Sequence, residues 1–211
     1  MTALYPKSVQ DLIDAFAKFP GIGPRQAARF VFFLLRDTES LIPHIKKTLS
    51  DLEKEVIFCG ECYRVTDANK NAPLCAFCSD PRRDHATIAV VEKESDMQNI
   101  EKTGAFAGRY HILGGVISAL DPDSPKRIHL RELHARISRA LSAEGHAEII
   151  LATSATTEGD MTAMYIERIL APLKDHHPAF VVTRLGRGLS AGSELEYADD
   201  QTLRNALNNR K

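Results

Sequence analysis

The chain has 211 residues, 44% hydrophobic and 26% charged, an ordinary globular balance with room for one main domain and smaller modules. Lys and Arg number 27 against 28 Asp and Glu, a net charge of −1, so no global positive field marks a nucleic-acid partner and any such contact must be local. No apolar run approaches the roughly 18–20 residues that span a bilayer, and Met1 to Gln10 lack the basic start and apolar core of an export signal, so we expect a soluble cytoplasmic protein whose cysteines stay reduced.

Ser8 as N-cap predicts a helix whose apolar positions Val9, Leu12, Ile13 and Phe16 share one face, with Asp11 in the first turn and an end near Phe19. Pro20-Gly21-Ile22-Gly23-Pro24 makes a compact turn, and Pro24, suited to a first helical position, opens a second helix ending near Arg36. There Phe30, Val31, Phe32, Phe33, Leu34 and Leu35 leave almost no polar face, which predicts burial on several sides and a subunit contact. A third helix carries Leu41, Ile45, Leu49, Leu52 and Val56. Residues 59–78 hold turn formers (Asp67, Asn69, Asn71, Pro73) and no periodic apolar pattern, and read as a metal-held loop. Beyond them come strand 86–91, helix 96–103 ended by Gly104, strand 110–113, helix 130–144 ended by Gly145, strand 148–152, helix 161–170 and strand 180–183. Such alternation predicts an α/β fold with a mainly parallel sheet covered by helices on both faces. A glycine-rich stretch after Gly186 leads to a last short helix near Leu203.

Cys59-x2-Cys62-x12-Cys75-x2-Cys78 uses every cysteine of the chain. Two CxxC pairs about a dozen residues apart suit tetrahedral thiolate coordination of a single zinc ion, whereas reduced core cysteines or a redox pair would not need two matched pairs in a polar loop. Four thiolates leave no position for water, so the metal is expected to be structural. In the hairpin, Gly21 and Gly23 precede a helix N-terminus whose backbone N–H groups and partial positive charge suit a DNA phosphate, and Arg25 and Arg29, one turn apart, extend that cradle. The plain alternative is a helical hairpin with two solvated arginines. Glu92 closes the first sheet strand, and Glu158 and Asp160 follow the strand ending near Ala152; parallel strands deliver these ends to one crevice, where three carboxylates could hold Mg²⁺ or remain solvated and capping acids.

In this order the features resemble the RecR family of bacterial recombination mediator proteins over nearly the whole chain. Pro20-Gly21-Ile22-Gly23-Pro24-Arg25 matches its helix-hairpin-helix module, and Cys59, Cys62, Cys75 and Cys78 match its zinc motif. Val90-Val91-Glu92, Tyr110-His111-Ile112-Leu113-Gly114-Gly115 and Thr157-Glu158-Gly159-Asp160-Met161-Thr162-Ala163 match its Toprim signature, and Arg187-Gly188-Leu189 through Leu195-Glu196-Tyr197-Ala198-Asp199 its C-terminal signature. The resemblance implies a helix-hairpin-helix module over 1–55, a four-cysteine zinc-finger motif over 56–80, a Toprim-like domain over 81–177 and a C-terminal assembly segment over 178–211. It implies a DNA repair and recombination factor that is not an enzyme and assembles, typically as a tetrameric ring, on single-stranded, gapped or double-stranded DNA. With RecO, and in some systems RecF, such a factor helps load recombinase. Arg25 and Arg29 then correspond to DNA-contacting positions, and Glu92, Glu158 and Asp160 to a docking surface for RecO as readily as to a magnesium site. Gly188-Leu189-Ser190-Ala191-Gly192 stands where the family commonly has Gly-Leu-Pro-Val-Gly, and Val116 to Pro122 depart from its proline and glycine pattern.

Two other functions compete. A Toprim-type, Mg-dependent DNA-cleaving enzyme needs a nucleophile, and Tyr110 and Tyr165 lie in strand and helix patterns that suit packing. A nucleotide-dependent enzyme would need better than Gly186-x-Gly188-x3-Gly192, whose spacing is wrong for a dinucleotide loop, and no GxxxxGK[ST] run exists. His129, His134, His176 and His177 are assigned no metal.

Overall fold

A computed structural model describes residues 4–68 and 74–210; Asn69, Asn71 and Pro73, expected as turn formers, lie outside them. The chain divides between Val56 and Ile57 into two units.

The first unit holds α1 (Lys7–Phe16), α2 (Pro24–Leu34) and α3 (Leu41–Glu55). Helix α1 starts ahead of the expected cap: the Pro6 carbonyl already accepts from Val9 N at 3.0 Å and Gln10 N at 3.1 Å, so Ser8 falls inside the helix and Asp11 beyond its first turn. Ile13 packs against Ala27 and Val31 of α2, with Phe16 and Ile22 around them. Only that stripe of α2 is covered. Phe33 is 62% exposed, and Phe30 and Phe32 are 40% exposed, so the burial expected on several sides does not occur within a single chain. Helix α3 buries no residue at all, and its apolar stripe leaves Leu49 and Leu52 in the open.

The second unit begins with a two-stranded sheet, β1 (Val56–Phe58) and β2 (Val65–Asp67), followed by the short helix α4 (Ala76–Ser79). Then come β3 (Asp84–Val91), α5 (Glu94–Lys102), β4 (Gly108–Ile112), α6 (Leu130–Glu144), β5 (Ala147–Ala152), α7 (Thr157–His176), β6 (Phe180–Arg184) and the terminal α8 (Asp200–Asn208). The four larger strands lie in the order β4-β3-β5-β6, every pair parallel, as the alternation predicts. Being buried on both faces, β3 alternates between two cores: Ile88 and Val90 pack with Leu133 and Ile137 of α6 and Ile166 of α7, while Ala89 and Val91 pack with Met97 of α5. Val91 stands opposite both Ile112 and Ala152, which brings three strand ends level at Glu92.

Helix α7 is longer than expected. Thr156 caps it, its side chain accepting from Gly159 N at 3.1 Å, and so Glu158 and Asp160 sit in the first helical turn instead of a loop. Gly159 and Pro172 both lie inside it. Among the described residues no helix is long and apolar enough to cross a membrane.

Candidate metal centre and nucleic-acid interface

Cys59 and Cys62 lie on the connection from β1 to β2, and Cys75 and Cys78 at the N-cap and inside α4. Backbone bonds shape the first pair: Cys59 N donates to Arg64 O at 2.8 Å and Tyr63 N to Cys59 O at 3.1 Å, with Tyr63 in the left-handed region at φ 62°. All four thiols are buried, and their sulfurs lie within 4.8 Å of one another. Tetrahedral metal–sulfur bonds of about 2.3 Å place sulfurs roughly 3.8 Å apart, so the set fits a metal ion. Cys62 Sγ and Cys75 Sγ are 3.5 Å apart, far beyond a disulfide of about 2.05 Å. Four sulfurs this close cannot all lose their protons unaided: hydrogen bonding from Cys62 holds the Cys59 thiol down, while the Cys59 sulfur pushes Cys62 and Cys78 up. A bound cation removes that conflict by favouring the thiolate at every position.

The loop is clamped to the α/β body. Ile112 N donates to Cys62 O at 2.9 Å, and Arg136, buried on α6, donates to Tyr110 O at 2.6 Å and Glu61 O at 3.3 Å. Arg139 adds a 2.8 Å bond to the Glu61 carboxylate. Phe77, between the second pair of cysteines, has the guanidinium groups of Arg64 and Arg83 over its ring, each 4.6 Å from the ring centre. These arginines in turn pair with Glu94 and Glu101 of α5. Tyr63 stacks on His129 with ring centres 4.0 Å apart, edge-on to the fully buried His111. His111 Nε2 meets His129 O at 2.9 Å and its Nδ1 has no partner; burial, then the nearby Arg136 charge, push this imidazole down to about 3. None of these clamping roles was read from sequence, for the residues become neighbours only across distant chain segments.

In the first unit, Gly21, Gly23, Arg25 and Arg29, the residues expected to hold phosphate, lie in the turn before α2 and in its first two turns. Gly21 turns with φ 79°, which an L side chain adopts at a cost. Gly23 is the N-cap at φ −82°, and a Cβ there would meet nothing within 4 Å. No side chain caps this helix, Arg25 and Arg29 are exposed, and Arg29 reaches only Gln26 at 3.4 Å. Farther along α2 a groove of about 560 Å³ is lined by Arg29, Arg36, Phe30 and Phe33 among others.

The three acids are not brought together. Glu92 is buried and accepts from Ser154 N at 2.7 Å and Ser154 Oγ at 2.8 Å, an approach that leaves no room for a side chain at Gly159, whose Cβ would lie 3.0 Å from Glu92 Oε1 and 2.1 Å from Ser154 O. Asp160 instead takes both guanidinium nitrogens of Arg187, one at 3.0 Å, which holds its carboxyl below the usual range. Glu158 is exposed. Among the described residues the cysteines are the only group of three or more candidate metal ligands. Of the two tyrosines weighed as nucleophiles, Tyr110 is buried with its hydroxyl on Glu101 at 2.8 Å, and Tyr165 is 39% exposed on α7.

Three family descriptions match: "RecR, helix-hairpin-helix" over residues 9–52, "Toprim domain" over 86–183 and "RecR, C-terminal" over 188–211. Proteins called Recombination protein RecR are similar over nearly their whole length. That of Nocardia farcinica is 42% identical over 208 residues, 99% of each chain. That of Frankia casuarinae is 42% identical over 209 residues, 99% of this chain and 98% of its own, and that of Mycolicibacterium smegmatis 40% identical over 208, with the same coverage.

Proposed function

The chain belongs to the RecR family of recombination proteins, and from that premise we propose that it acts in DNA repair as a DNA-binding mediator rather than an enzyme. Gly21, Gly23, Arg25 and Arg29 take the phosphate backbone without reading base sequence. The open start of α2 carries this reading: no side chain of the protein caps its backbone N–H groups, and Arg25 and Arg29 stand exposed on the same helix. Zinc, one ion per chain, is the metal that an all-thiolate tetrahedral set prefers, and it supplies structure only.

The protein works in the cytoplasm as a homo-oligomer, a tetramer by family resemblance, using apolar faces such as those α2 and α3 leave exposed. With RecO, and with RecF where present, it helps load recombinase onto single-stranded or gapped DNA. Glu158, exposed in the first turn of α7, leads a docking face for RecO to which Asp160 contributes, with buried Glu92 shaping that end of the sheet through Ser154. Support against magnesium-dependent cleavage comes from the bonds that Ser154 and Arg187 already make to two of these acids, and from the burial of Tyr110.

The decisive experiment is Arg25→Glu with Arg29→Glu, in protein of unchanged circular dichroism and zinc content. We expect DNA affinity to drop about tenfold or more, the wild-type affinity to fall steeply with salt, and recombinase loading with RecO to fail. Intact binding and loading in that variant would remove the hairpin assignment.

A further inference from the structure

Between α6 and α7 runs an open groove of about 380 Å³, floored by Leu130 and Ile169 and edged by Lys126, Arg131, His134 and Tyr165. No carboxylate lines it, a local positive excess on a chain of net charge −1. Other arginines of this unit are neutralised: Arg127 pairs with Asp121, Arg139 with Glu61 and Arg184 with Glu167. Arg131, in the groove, and Arg168, one turn along α7 from Tyr165, have no hydrogen-bond or ion-pair partner among the described residues. Lys126 meets Asp123 at 2.7 Å, but both side chains stand mostly in water, where such a pair is weak. Tyr165 is 39% exposed and its neighbour Met164 is 62% exposed, while Ala163 and Ile166 hold the helix to the core.

An exposed ring sharing a groove with one unpaired guanidinium group, with a second three residues further along the same helix, is an arrangement on which an unpaired base stacks while its phosphates are held. Duplex DNA keeps its bases stacked on one another and offers no free face. An acidic protein segment could satisfy the same cations, but the exposed ring beside them favours a planar base. We propose that the α6–α7 groove is a second nucleic-acid contact that takes single-stranded DNA, one base on Tyr165 and phosphates on Arg131 and Arg168. This rests on the reading that the protein acts on DNA, and it involves none of the hairpin residues.

The test uses full-length, zinc-loaded protein and an oligo(dT) strand carrying 5-iododeoxyuridine, with photocrosslinks mapped by mass spectrometry. A crosslink is expected at Tyr165. Tyr165→Leu should lower affinity for the strand roughly tenfold. Arg131→Glu with Arg168→Glu should flatten the salt dependence by about 1.4 in slope, from two phosphates at about 0.7 each. Absence of a Tyr165 crosslink, with an unchanged salt slope in the double variant, overturns the proposal and leaves the groove to an acidic protein segment. The hairpin reading is judged separately, by the Arg25→Glu with Arg29→Glu variant, whose residues contact phosphate and lie on a different peptide from Tyr165.

Discussion

Gly21 and Gly23 are two residues apart and face different constraints. At φ 79° Gly21 holds a conformation that costs an L side chain on the order of 1 kcal/mol, whereas Gly23, at φ −82°, tolerates one. Gly21→Ala should therefore lower stability by about 1 kcal/mol in urea unfolding. Gly23→Ala should leave the unfolding midpoint in place yet weaken DNA binding; equal loss of stability in both would remove the distinction. His111 gives a pH dependence. The unfolded chain takes up a proton near the usual 6.5 and the folded chain not until about 3, so this group's stabilisation is full above 6.5 and is lost as pH falls through that window. Its ring resonances should stay fixed from about pH 8 to about pH 5, and movement near pH 6.5 would show a solvated ring. At this scale the cysteines were legible because metal coordination demands a local spacing. Ser154, Arg187 and Phe77 were not, since their roles arise from partners as far as 62 residues away, as Ser154 is from Glu92.

Among the elements, long periodic segments were legible and short ones were not. Helix α6 runs from Leu130 to Glu144 as its pattern and Gly145 predict, and Gly145 ends it at φ 71°. By contrast β1, β2 and α4 are three or four residues long, and loop hydrogen bonds rather than apolar periodicity define them. Helix α7 starts ahead of the expected residue 161 because the Thr156 side chain caps it, accepting from Gly159 N. Helix α4 matters beyond its length, for Phe77 ties the metal loop to two arginines and through them to α5. Phe77→Ala should cost about 2–3 kcal/mol and speed metal release to a chromophoric chelator, with α1 and α2 unchanged by hydrogen exchange. Metal retention equal to wild type would show that the ring does not hold the loop.

Over the whole molecule, strand and helix alternation was enough to foresee the parallel sheet, because strands buried on both faces must be apolar throughout. In α2 the apolar girdle calls for cover of which a single chain supplies only the stripe facing α1, and the subunit contact expected over the rest concerns more than one chain. The metal loop groups with the α/β body, not with the helices before it. Its clamp is remote, for Glu61 is held by Arg136 and Arg139, 75 and 78 residues further along. At roughly 5–20 residues per second, a ribosome delivers those arginines about 4–15 seconds after Glu61. During that interval the nascent cysteines have no finished protein wall around them, and metal supply at the moment of synthesis governs how many chains close correctly.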